Sequence, residues 1–149
     1  MATSSIFDFF IQLHITEKCN LRCKHCYQTG DNPDEMSLPE MIAVITEVSD
    51  MIKDWSEAYD IAFMPGFNIT GGEPFLRQDL MQILQELQNR KFDVYILSNG
   101  ILISSERARL LADIGIKGVQ ISIEGPENIH DAIRGKGSFS SSLKGIGNL

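Results

Sequence analysis

Apolar and polar residues alternate strictly over residues 10–16, with Ile11, Leu13 and Ile15 set against Gln12, His14 and Thr16. A period of two predicts a first strand with one apolar and one polar face. Ser37-Leu38-Pro39-Glu40 then reads as a capping box, and Met41, Ile45, Val48, Ile52 and Trp55 follow at helical spacing. Residues 61–70 predict a second strand, regular only after the Pro65-Gly66 interruption. A helix over 77–90 carries its stripe at Leu80, Leu84 and Leu87. The third strand is 94–98, closed by a turn at Asn99-Gly100. Ser104 is placed to cap a helix through Ile114, and Gly115 suits its end. A fourth strand is expected over 118–124, then a long turn-rich loop and a short last helix beginning near Ser140.

Strands and helices thus alternate, which predicts an α/β fold with a parallel sheet and right-handed crossovers. Parallel strands buried on both faces should be apolar almost throughout. Here strand one, strand two at Asn68 and Thr70, and strand four at Gln120, Ser122 and Glu124 each keep a polar face. We expect that face to line a cavity, as in a barrel or partial barrel; a solvated sheet face is the alternative. Strand four would be a bare edge, and Gly135, Gly137, Gly145 and Gly147 crowd the end of the pattern. Residues 1–149 are therefore expected to be the N-terminal portion of a longer protein.

Composition narrows the partners. With 149 residues and 43% hydrophobic content, a single domain can bury a real core. A net charge of −7 argues against a nucleic-acid surface, which needs clustered Lys and Arg. No apolar run is long enough to span a bilayer, and the first residues do not resemble a signal peptide, so no membrane and a cytoplasmic location are expected.

The chain has 3 cysteines, an odd number within one short loop, which suits metal better than disulfides. Cys19, Cys23 and Cys26 have C-x3-C-x2-C spacing directly after strand one, at the strand end where parallel α/β folds bind ligands. Thiolates suit zinc or iron–sulfur clusters. A structural zinc site wants four closed ligands, and only His14, His25 or His130 could supply the fourth. A 4Fe-4S cluster held by three cysteines leaves one iron open for chemistry. Zinc and plain buried thiols remain the other readings.

The stretch Cys19-Asn20-Leu21-Arg22-Cys23-Lys24-His25-Cys26-Tyr27 resembles the signature of the radical S-adenosylmethionine (SAM) enzymes. In that family the open iron chelates SAM, and an electron through the cluster cleaves it to methionine and a 5′-deoxyadenosyl radical, which takes hydrogen from the substrate. The resemblance implies a radical SAM partial (β/α) barrel with about four of six strand–helix units present. It also gives Cys19, Cys23 and Cys26 both the metal-ligating and the catalytic role. Three more motifs fall in the family's order. Thr70-Gly71-Gly72-Glu73-Pro74 resembles the Gly-Gly-Glu motif that holds the SAM amino group. Taken alone, adjacent glycines admit a close backbone approach and Glu73 is an acceptor for an ammonium, though a plain glycine turn reads equally well. Ser98-Asn99-Gly100 is implied to border the SAM pocket. On strand four, Ser122 and Glu124 share a face and are implied to address the ribose.

Residues 125–135 resemble the matching loop of SPASM-type peptide- and protein-modifying members, and Arg134 is implied to fork onto the SAM carboxylate. His130 and Asp131 read as capping or solvating that loop. One departure stands out: the position before Cys26 is usually aromatic in the family, and here it is His25, whose imidazole can still stack near adenine. Tyr27 is expected beside the nucleotide. The resemblance covers residues 13 to about 139 and implies a peptide or protein substrate and a low-potential electron donor of flavodoxin or ferredoxin type. The missing last two strands and auxiliary-cluster cysteines leave open a truncated core without activity.

Overall fold

In the computed structural model, which describes residues 6–28 and 34–149, four parallel strands lie in the order of the sequence. They are β1 (Ile6–His14), β2 (Ala62–Thr70), β3 (Asp93–Ser98) and β4 (Gly118–Ile121). The crossovers are α1 (Leu38–Tyr59), α2 (Leu80–Asn89) and α3 (Ser105–Ile114), followed after β4 by α4 (Glu127–Arg134) and α5 (Ser138–Asn148). The sheet is open between β1 and β4 among the described residues.

The alternation read in the sequence sorts the two faces. Leu13 pairs with Ile69 and Ile69 with Ile96, while Phe67 pairs with Val94, so one face is apolar across three strands. Met41, Ile45 and Ile52 of α1 and Ile83, Leu84 and Leu87 of α2 complete the core with them. Each such fully buried side chain contributes about 1.5–3 kcal/mol of burial free energy. On the opposite face Gln12 pairs with Asn68, and Leu97 with Gln120; Gln12 and Gln120 are exposed. Further toward the strands' N-terminal ends that face turns apolar, with Phe10 and Tyr95 at 6.2 Å between ring centroids. Gly66 lies between them, where an added Cβ would come within 2.4 Å of the Phe10 ring.

The helix ends follow local chemistry. Glu40 reaches back to the Ser37 N–H and hydroxyl, both at 2.7 Å, and starts α1. Ser104 Oγ accepts from the Arg107 N–H at 3.2 Å, and Gly115, at φ 85°, ends α3 in the left-handed conformation that glycine tolerates.

Several expected boundaries shift. β1 occupies Ile6–His14 instead of 10–16, so Ile15 and Thr16 already belong to the loop. β2 runs unbroken through Pro65 and Gly66, because up to Pro65 it has β1 alone as a neighbour; β3 joins only at Gly66. A proline costs a strand no ladder bond on an open side. The helix expected from Arg77 begins at Leu80, preceded by one 3-10 turn at Pro74–Leu76. β4 ends at Ile121, so Ser122 and Glu124 lie beyond it. The expected loop over 125–135 contains α4, with Glu127 in its first turn and Arg134 in its last, both favourable to the helix dipole. The last helix starts at Ser138, because the Asp131 carboxylate accepts from the Gly137 and Phe139 N–H groups at 2.6 and 2.9 Å.

Candidate functional site

The cysteine loop leaves β1 under tight backbone control. Ile15 N–H donates to Thr70 O at 2.9 Å, Gly72 N–H to Thr16 O at 2.7 Å, and Glu73 N–H to Lys18 O at 2.8 Å. This stitching explains the two glycines. A Cβ on Gly71 would lie 2.6 Å from Thr16 O, and one on Gly72 only 2.3 Å from Lys18 O. Their missing side chains let two backbones meet, where the sequence alone suggested close approach to a ligand.

Cys19, Cys23 and Cys26 line a cavity of about 110 Å³ with Glu17, Leu21, Arg22 and Gln28. All three are free thiols. Burial pushes the Cys19 thiol above its ordinary value, with the Leu21 N–H pulling the other way. Burial also raises Cys23, opposed by the positive charge of Arg134. The donor set fits an iron–sulfur cluster: three soft thiols around one cavity at the strand ends. It fits mononuclear zinc poorly. His14 Nε2 lies 2.8 Å from Glu17 Oε1, His130 is enclosed and His25 faces Glu124. Among the described residues no three His, Cys, Asp or Glu side chains converge as one metal ion requires.

A second cavity of about 220 Å³ adjoins the first. The three cysteines, His25, Tyr27, Gly71, Gly72, Asn99, Ser122 and Arg134 all line it, so the fold gathers most of the residues singled out in the sequence. Tyr27 is 81% exposed at its rim. Asn99 spans the gap to the cysteine loop, its Nδ2 donating to Asn20 Oδ1 at 2.8 Å.

Glu73 and Glu124 are engaged elsewhere. Glu73 is 0% exposed, and its carboxylate accepts from Ser98 Oγ at 2.8 Å, Asn99 N–H at 2.9 Å and Phe75 N–H at 3.2 Å. Burial raises its proton affinity despite those donors. It ties the end of β2 to the end of β3. Glu124 accepts from Arg134 Nε at 2.9 Å and lies 3.7 Å from His25 Nε2. The Arg134 hydrogen bonds outweigh partial burial and hold the Glu124 carboxyl below its usual range. Its own N–H donates to His130 Nδ1 at 3.3 Å. His130 is therefore a 0% exposed core residue packed on Phe139, and Asp131 is the capping one of the pair.

Sequence reading missed Arg77, Glu35, Thr16 and Asn20. Their partners are mostly main-chain groups or residues far away in the chain, which no motif spacing reports.

With this geometry in view, the chain was compared with known proteins. The Radical SAM superfamily profile matches residues 13–149. The chain belongs to the radical SAM superfamily. It is 30% identical over 139 residues to the Fe-coproporphyrin III synthase of Methanosarcina barkeri (strain Fusaro), covering 91% of this chain and 32% of that protein. It is 32% identical over 140 residues to the sporulation killing factor maturation protein SkfB of Bacillus subtilis (strain 168), covering 92% and 32%. The chain thus spans about a third of the length of these relatives. Among solved structures, native anSMEcpe with bound AdoMet superposes with a TM-score of 0.73 at 22% identity, over 95% of this chain and 40% of that one. Streptococcus suis SuiB bound to precursor peptide SuiA gives 0.61 at 17% identity, over 87% and 28%. These likenesses establish the fold: an open, partial barrel of the radical SAM type.

Proposed function

We propose that Cys19, Cys23 and Cys26 hold a 4Fe-4S cluster, that SAM binds in the adjoining cavity, and that the whole serves radical chemistry on a peptide or protein. When bound, the cluster and SAM together supply a 5′-deoxyadenosyl radical able to take a hydrogen atom from a substrate. The observation that carries this reading is that the three-thiol cavity adjoins a second one, lined by the ends of all four strands or the turns after them.

The chain's own groups divide the work. The backbone of Gly71 and Gly72 receives the SAM amino group, and buried Glu73 behind them adds negative potential without direct contact. Ser122 presents its hydroxyl to the ribose, and Glu124 joins it once freed from Arg134. Arg134, on the cavity wall, takes the SAM carboxylate. His25, Tyr27 and Asn99 border the adenine end. A low-potential donor of flavodoxin or ferredoxin type supplies the electron.

The peptide reading is supported by the maturation protein SkfB, by the mycofactocin maturase MftC of Mycolicibacterium smegmatis at 32% identity, and by the fold shared with SuiB. A tetrapyrrole substrate is the second reading, favoured by the 30% identity to the Fe-coproporphyrin III synthase. Among the described residues no helix is long and apolar enough to cross a membrane. Anaerobic reconstitution followed by dithionite and SAM should yield 5′-deoxyadenosine and methionine. A loaded cluster that forms neither product overturns the enzyme reading.

A further inference from the structure

Two clasps outside the cavity close the cysteine loop at its base. Arg77 follows the 3-10 turn, and its side chain is only 6% exposed. One arm of its guanidinium, Nη1, donates to Ile15 O at 2.6 Å, and the other, Nη2, to Met36 O at 2.7 Å. Asp79 balances the charge through Nε at 2.6 Å and Nη2 at 3.2 Å. One planar group therefore bonds the chain four residues before Cys19 and ten residues after Cys26. The second clasp repeats the connection. Glu35 Oε1 accepts from Thr16 Oγ1 at 2.6 Å and from Glu17 N–H at 3.1 Å, and Oε2 lies 3.6 Å from Lys18 Nζ.

None of these bonds is made to a residue of a strand. A buried guanidinium persists only where its donors are satisfied, and Arg77 spends two of them on carbonyls that bracket the loop. Closing a loop of this length has an entropic cost. With its base already pinned, the ligand-bearing part has less freedom to lose when a cluster binds.

We propose that Arg77 and Glu35 are positioning residues, which tie residues 15–18 to residues 35–36 and so keep the three thiols gathered for the cluster. The inference rests on the cluster reading above, but its first readout does not need the cluster. The Lys18, Gly72 and Glu73 amides donate to Thr16 Oγ1, Thr16 O and Lys18 O, and so report on the loop base.

Amide hydrogen exchange on the metal-free chain is measured for wild type, Arg77→Met, Glu35→Ala and the control Arg90→Met. The control breaks an arginine ion pair, to Glu86 at 2.8 Å, and a bond to Thr46 Oγ1 at 2.9 Å, both away from the loop. Exchange at the three reporters should quicken about tenfold in both clasp variants, with the β2 and β3 amides unchanged, and the control should match wild type. Reconstituted clasp variants should also lose their visible cluster absorbance to a chelator about tenfold faster. If Arg77→Met fails to fold, Glu35→Ala, at a half-buried site, decides alone. Reporter exchange and cluster loss at the wild-type rate in folded variants would overturn the clasp. A wild type that takes up no cluster would refute the proposed function instead, and the exchange rates would still decide the clasp.

Discussion

The two walls of the candidate pocket are built differently. The wall from β1 and β2 is backbone against backbone: Thr16 and Lys18 carbonyls accept from Gly72 and Glu73, and a Cβ on Gly71 or Gly72 would come within 2.6 or 2.3 Å of those same carbonyls. Behind it, Glu73 is fully enclosed. The wall from β4 and α4 touches the cysteine loop mainly through charged side chains that keep some solvent access, Glu124 (28% exposed) with Arg134 (13%) and His25 (53%), plus one backbone bond from Lys24 N–H to Ile133 O at 2.9 Å. Buried groups paired mostly to the backbone hold one geometry, whereas charged side chains with solvent access exchange partners more readily. The first wall is a fixed template for the cysteines. In the proposed function the second gives up the Arg134–Glu124 pairing to SAM.

The sharpest way to break this contrast is Gly72→Ala. Its Cβ would meet Lys18 O at 2.3 Å, so the loop base must move. Iron uptake on reconstitution should fall by about tenfold or more, while far-ultraviolet circular dichroism stays that of a folded α/β chain. Next comes Glu73→Ala, which strips the buried acceptor from Ser98, Asn99 and Phe75. Urea denaturation should show a loss of about 1–3 kcal/mol from the orphaned donors. Arg134→Met tests the other wall: the same denaturation should change by only about 0.5–1 kcal/mol. SAM binding by the loaded protein should nevertheless weaken about tenfold, the size expected for losing a charge-assisted fork.

Acid should separate the walls most gently. The Glu124 carboxyl is held below its usual range, chiefly by its Arg134 hydrogen bonds. Its contribution is therefore present above the unfolded value and lost as pH falls through the lower folded one. Burial holds Glu73 above its usual range, so its ionised form opposes folding and that penalty eases as pH falls. Between about pH 5 and 3, backbone NMR shifts at Lys24 and Glu124 should move toward an unpaired state. Those at Ile15 and Gly72, whose N–H groups donate to the main-chain carbonyls of Thr70 and Thr16, should hold their tertiary pattern. Equal acid sensitivity in both places would erase the distinction.

Much of this was legible in the chain. Strict alternation in β1 and the stripes of α1 and α2 report burial on one side, and burial is what periodicity encodes. The cysteine, Gly-Gly-Glu and Ser-Asn-Gly stretches are local, so their spacing survives in sequence and the fold brings them to one rim. α4 escaped notice because eight residues between Pro126 and Gly135 look like a turn, and the charges of Glu127 and Arg134 that suit its dipole also suit a loop. The early end of β4 at Ile121 is tertiary, since its partner β3 ends at Ser98. Arg77 read as an ordinary helix residue. Its carbonyl partners lie 62 and 41 positions away, and carbonyls carry no residue-type signal.

The central claim is that the three cysteines hold a cluster with an iron left open for SAM. Anaerobically reconstituted chain should be assayed for iron and acid-labile sulfide, then reduced and examined by electron paramagnetic resonance with and without SAM. The account predicts roughly four irons and four sulfides per chain and a spectrum that changes when SAM is added. One zinc per chain without iron, or a loaded cluster whose spectrum ignores SAM, would contradict it.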